Sequence, residues 1–299
     1  MEESLTGDAP AEPEAKAKEP SRFGEGPTAF LNLNISTRMS VILMCMMATG
    51  TQLILRSVPF TATVGPDSMS AAPPTGYDWD EHEAGMVYAS FGWGYCLSQI
   101  PGGMLSVKYG AKSTFLFFLS AAGLMNFLVP IAGDVLAPMF GFEPVYGVCL
   151  CRFIFGLCQG PLFPIQTAIL SGWLHERERS TISALVGCCW ALFQAFQAAV
   201  TPYFMEGWGW QYAFYTYSLF VAVWAYIWIN FGVGIDPKLE PRCSPEEADY
   251  LVDKLDKGKE KPKPVLTLAV WLAVAKQPVV WGMALCTVIK GFGEPVFLT

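Results

Sequence analysis

Residues 145–180 read VYGVCLCRFIFGLCQGPLFPIQTAILSGWLHERERS, and the way this stretch crosses a membrane decides the fold. It opens with a hydrophobic run of roughly 25 residues, long enough at about 1.5 Å rise per residue to span a ~30 Å hydrocarbon core. Arg152 sits inside that run. An arginine near the middle of a spanning helix costs about 2.5–3.5 kcal/mol on insertion scales, so it is normally turned toward a polar cavity or a partner. Gly156 and Gly160 lie four apart with Gln159 between them, and Pro161 and Pro164 follow. Small residues at that spacing predict close helix contact, and the prolines predict a locally broken backbone. The pattern is that of a helix lining a polar path, not of an anchor.

The whole chain has the same character. Of its 299 residues 53% are apolar and 15% charged, with a mean hydropathy of +0.36, which excludes a soluble or a disordered protein and predicts an all-α polytopic membrane protein. A net charge of -7 argues against nucleic acid as a partner, since phosphate recognition needs clustered Lys and Arg. Most of the nine cysteines (Cys45, Cys96, Cys151, Cys158, Cys188, Cys189 and Cys286 among them) fall in apolar spans, where they behave as small buried residues. Neither a disulfide framework nor a zinc site is predicted, and no cofactor is expected. His82 and His175 are the only histidines and both fall in loops, so no Ser/His or metal-ligand cluster is expected within the membrane, and an enzyme is not expected.

Hydrophobic spans are predicted at about 40–63, 84–106, 113–133, 146–171, 181–203 and 211–233, with a seventh at 277–297. Residues 1–38, rich in Glu, Ala, Pro and Lys, are predicted to be a disordered tail, and 234–276 a linker between bundles. Basic residues fall on one set of loops: Lys16, Lys18, Arg22 and Arg38; Lys108 and Lys112; Arg177 and Arg179; and Lys238 to Lys276. The alternate loops hold none and carry Asp67, Asp78, Asp80, Glu81, Asp134, Glu143 and Glu206. That asymmetry predicts a cytosolic N-terminus and a cytosolic linker.

Three basic residues remain, Arg56, Arg152 and Lys290, in spans one, four and seven. With alternating helix directions, both arginines lie about 7–9 Å to the outer side of the midplane and Lys290 about 5 Å. Cations on the first helix of successive three-helix units fit the inverted-repeat construction of secondary transporters, whose binding site lies at mid-membrane where repeats meet.

The second span carries Gly92-Trp93-Gly94-Tyr95 and Gln99-Ile100-Pro101-Gly102-Gly103, followed by Lys108-Tyr109-Gly110-Ala111-Lys112. The stretch GWGYCLSQIPGGMLSVKYGAK resembles the signature of the anion:cation symporters within the major facilitator superfamily, the branch holding vesicular glutamate transporters, sialin and phosphate transporters. Its tail departs from the general loop motif at Val107, where an acidic residue is usual. The resemblance continues through RFIFGLCQGPLFPIQ, Trp173, Glu178-Arg179-Ser180, Gly209-Trp210, Phe214-Tyr215 and Ser244-Pro245-Glu246-Glu247, from about Met39 to the end of the chain.

The resemblance implies a major facilitator N-terminal six-helix bundle plus a seventh helix, working by alternating access as a secondary transporter of an organic or inorganic anion. A proton, a sodium ion or the membrane potential would drive it. Arg56 and Arg152 match arginines that the family uses in its substrate cavity, and Lys290 falls where glutamate-transporting members have a cation. Tyr88 stands where those members have a histidine and Gln159 where they have a glutamate implicated in proton coupling, so neither glutamate nor that mode of coupling is implied. The expected partners are a small anion, a coupling cation, the bilayer, and a C-terminal bundle that the chain, ending in its seventh span at Thr299, is expected to lack. The alternatives are a non-transporting truncated membrane protein, or a seven-helix receptor-like protein, which would need its N-terminus outside.

Overall fold

The first two helices start on side-chain caps, and later ones at glycines or prolines. In the computed structural model, which describes residues 36–64, 67–74, 76–252 and parts of 276–285, Ser36 caps α1 (Thr37–Ala62) by accepting from the Met39 backbone N–H. Asp80 and Glu83 form a reciprocal capping box at the start of α2 (Glu81–Tyr109), and Gly110, at φ 85°, makes the tight turn into α3 (Ala111–Ile131). A π-helical turn at Ala132–Leu136 leads into the short α4 (Ala137–Met139). Pro144 opens α5 (Pro144–Gln159) in a position where its missing N–H costs nothing. After a break at Gly160 and Pro161 come α6 (Leu162–Trp173), α7 (Glu176–Gly207) and α8 (Trp210–Phe231). A 3-10 turn at Pro237–Leu239 and α9 (Pro245–Val252) follow.

The described residues are helix, turn and loop with no strand, as expected, and the predicted break in the fourth span falls at Gly160-Pro161. Among the described residues five helical stretches are long and apolar enough to cross a membrane: Thr37–Ala62, Ala111–Met139, Pro144–Trp173, Glu178–Gly207 and Trp210–Phe231. The second expected span, 84–106, forms within the continuous 29-residue α2 but is not among those five. The reason is composition, because α2 carries glycines, serines, Gln99 and Pro101 in place of aliphatic residues. Of the seventh expected span, 277–297, only isolated residues are described.

Those glycines are used against α5. A β-carbon on Gly94 would collide with the carbonyl oxygen of Phe153, one on Gly156 with that of Phe91, and one on Gly102 with the ring of Pro161. The two helices therefore touch backbone to backbone, the close approach expected from Gly156 and Gly160. Elsewhere the core is aromatic and aliphatic. Phe115 packs edge-on against Trp224 and Trp228, whose indole N–H groups donate to the carbonyls of Met44 (3.1 Å) and Lys112 (3.0 Å). Buried indoles thus tie α8 to α1 and to the start of α3 without orphaning a donor.

The up-and-down path brings the basic loops to one end. There Arg38 pairs with Glu178, Thr37 donates to the Arg242 carbonyl (2.7 Å), and Trp173 donates to the Gly234 carbonyl (2.9 Å), fastening residues 232–247 across the ends of α1 and α6. At the acidic end the Tyr77 hydroxyl donates to Asp134 (2.6 Å) and its ring packs on Trp79 and Trp210. Burial, aided by that bond to the carboxylate, pushes the Tyr77 hydroxyl pKa up. The chain divides into two compact units, 1–255 with this bundle and 256–299.

Candidate functional site

Three helices meet around one aromatic ring. Phe91 belongs to α2 and is 6% exposed, its backbone held against Gly156 of α5. The Arg152 guanidinium, carried by α5 and fully buried, lies 5.2 Å from the Phe91 ring centre and 4.5 Å from that of Phe155. Arg56, carried by α1 and exposed, lies 5.3 Å from the same Phe91 ring and 5.6 Å from Tyr95. The two arginines expected at one depth are brought together on one side chain. A cation over an aromatic face gains about 0.5–1 kcal/mol when exposed and ~2 when desolvated, which offsets part of the cost of burying Arg152.

The remaining cost stands. Nε and Nη1 of Arg152 are buried without a hydrogen-bond partner. Residues 37–62, 84–133, 144–174 and 180–205, with 210–231, contain no Asp, Glu or His. The ion pairs found among the described residues, Arg38 with Glu178 and Arg242 with Glu240, both lie at the basic end. Two guanidiniums therefore share a site for which these five stretches supply no counter-charge. A buried unpaired charge is costly, and an oxyanion is the kind of group that could supply both the charge and the acceptors.

The other expected site residues fall around this pair. Tyr88 lies one turn before Phe91 on α2, stacks on Phe60 at 4.3 Å and shares a hydrogen bond with the Thr63 hydroxyl, which joins α2 to the end of α1. Gln159 is buried and its amide donates to the Gln52 carbonyl (3.0 Å). Gln52 donates to Gln166 (3.1 Å), whose own amide donates to the Cys45 carbonyl (3.1 Å) and the Thr49 hydroxyl (2.5 Å), so a chain of amides runs between α1 and the broken fourth span. Lys290 lies outside the described residues.

Phe91 and Tyr95 were not singled out by the sequence reading. The available signal was spacing, since Tyr88, Phe91 and Tyr95 recur at i, i+3 and i+7 and mark one face of α2. A second polar cluster was also missed. Gln197 of α7 accepts from Ser57 (3.1 Å) and donates to Thr61 (3.0 Å) and Thr201 (2.8 Å), and the Thr201 hydroxyl bonds that of Tyr217 (2.9 Å), so α1, α7 and α8 are joined by satisfied groups.

Comparison with known proteins places this chain in a family. The profile of the Major Facilitator Superfamily matches residues 26–298. The chloroplastic ascorbate transporter of Arabidopsis thaliana is 27% identical over 223 residues, 75% of this chain and 39% of that protein. Vesicular glutamate transporter 1 of Bos taurus is 30% identical over 190 residues, 63% of this chain and 32% of that protein. The human voltage-gated purine nucleotide uniporter SLC17A9 is 29% identical over 182 residues, 61% of this chain and 41% of that protein. The chain thus spans about two fifths or less of the length of these curated relatives. They fall in the branch that GWGYCLSQIPGG resembles, and with the profile covering nearly the whole sequence, the chain belongs to the Major Facilitator Superfamily.

Proposed function

We propose that this chain forms the N-terminal bundle of a secondary active anion transporter in which Arg56 and Arg152 hold an organic or inorganic anion. The observation that carries the reading is the pair of guanidiniums on Phe91, one fully buried with unpartnered nitrogens, in spans without an acidic residue. The relatives named for ascorbate, glutamate and purine nucleotide transport support an anion of this general kind, since all three substrates are anions at neutral pH. Alternating access would rock this bundle against a second one around the arginines, with a proton, a sodium ion or the membrane potential as driver. Tyr88 would line the cavity, Gln159 would stand where coupling residues stand, and Lys290 would add a third cation. The basic end would face the cytosol, N-terminus included, as the charge asymmetry of the loops requires.

The test is uptake into proteoliposomes by a polypeptide carrying both bundles, screened with phosphate, glutamate, sialic acid and other organic anions under proton, sodium and potential gradients. Saturable uptake of one anion, lost in Arg152→Ala, is expected. Uptake of cations or neutral solutes only, unaffected by Arg152→Ala, would overturn the reading.

A further inference from the structure

We infer that Phe91 is the positioning residue of the anion site, holding two like charges together while the site is empty. The inference rests on the reading of Arg56 and Arg152 as the anion-binding pair. Two guanidiniums repel, and residues 37–62, 84–133, 144–174, 180–205 and 210–231 supply no carboxylate to hold either. Among the described residues, Phe91 is the ring that stands against both of them. The negative face of an aromatic ring attracts a cation without accepting from its N–H groups in the way an oxygen would, so the donors stay free for an anion. This is the state in which Nε and Nη1 of Arg152 are found. A carboxylate in the place of Phe91 would hold the arginines more strongly and occupy the same donors.

The ring is also fixed. Its backbone carbonyl abuts Gly156, and its faces and edges are braced by Phe155 and Tyr95, each 5.6 Å away between ring centres. A ring so held fixes the local separation of Arg56 and Arg152, whose helices are otherwise joined at Gln52 and Gln159. Phe91 acts through the arginines and is a positioning residue, in contrast to an ordinary core phenylalanine, for which only shape and apolarity would matter.

The experiment separates those roles in the purified 299-residue chain in lipid nanodiscs. Arginine side-chain NMR signals of Arg56 and Arg152, assigned by their loss in Arg56→Lys and Arg152→Lys, should carry ring-current shifts in the native chain. In Phe91→Leu, which stays apolar, both signals should move toward ordinary arginine positions. Replacing Phe91 by fluorinated phenylalanines keeps the shape and weakens the ring's negative face. Affinity for inorganic phosphate should then fall stepwise with fluorine content, by about tenfold in the trifluoro ring, with the thermal midpoint unchanged. Arginine signals that stay in place in Phe91→Leu, or phosphate affinity indifferent to fluorination, would overturn the inference. A native chain that binds no phosphate while Phe91→Leu still moves both signals would sustain the positioning role and count against the anion reading instead.

Discussion

At the scale of single residues, Arg152 is a group whose burial costs stability and serves the site. Each buried N–H left without a partner costs about 1–3 kcal/mol, and Arg152 has two such nitrogens. Replacing it by an apolar side chain of similar length, Arg152→Met, should therefore raise the thermal unfolding midpoint of the purified chain while abolishing anion binding. A lowered midpoint with binding retained would mean that the arginine is held for structure. Both arginines were legible in the sequence because a charge in an apolar run is conspicuous. Phe91 was not, because one more aromatic residue in an apolar helix gives no contrast. The partner of Gln159 was illegible for a different reason, since Gln52 lies 107 positions away and no local pattern specifies such a pair.

The elements show why α2 and α5 cannot be treated as ordinary spans. Gly94 and Gly156 face backbone atoms of the opposing helix, whereas nothing lies near a β-carbon placed on Gly92 or Gly103. Gly156→Ala should cost about 1–3 kcal/mol by overpacking and displace Phe91 with it, whereas Gly92→Ala should be close to neutral, as read by thermal unfolding. Equal midpoints would refute the backbone-to-backbone contact. The break after Gln159 was readable from Gly160 and Pro161 and the low apolarity of α2 from its composition, but the π-helical turn at Ala132–Leu136 was not, since a local register change leaves no hydrophobic period. The segment fastened over the basic end offers a pH test. Burial, with the Glu247 and Glu240 carboxylates nearby, pushes the Cys243 thiol from 9.0 to about 11. Because the folded state holds this proton more tightly, the stability it contributes is complete below about pH 9 and is lost as pH rises through about 11. Maleimide should accordingly modify Cys243 slowly at pH 8 in the folded chain and rapidly in denaturant; equal rates would contradict the packing of the segment.

For the whole molecule, the alternation of basic and acidic loops was legible as a topology because lysine and arginine counts need no tertiary information. Cysteines introduced at Asp67 or Glu143 should be labelled from outside intact cells, and one at Lys257 only after permeabilisation; the reverse pattern would invert the orientation. Alternating access requires two bundles moving against each other, so binding at the proposed site can be measured separately from transport. Binding is then the direct test. The probe is L-glutamate or sulfate, whichever the native chain binds. Equilibrium binding of the radiolabelled anion to the native chain, Arg56→Ala and Arg152→Ala in nanodiscs measures this. The account predicts saturable binding that both substitutions abolish; undiminished binding in Arg152→Ala would contradict it.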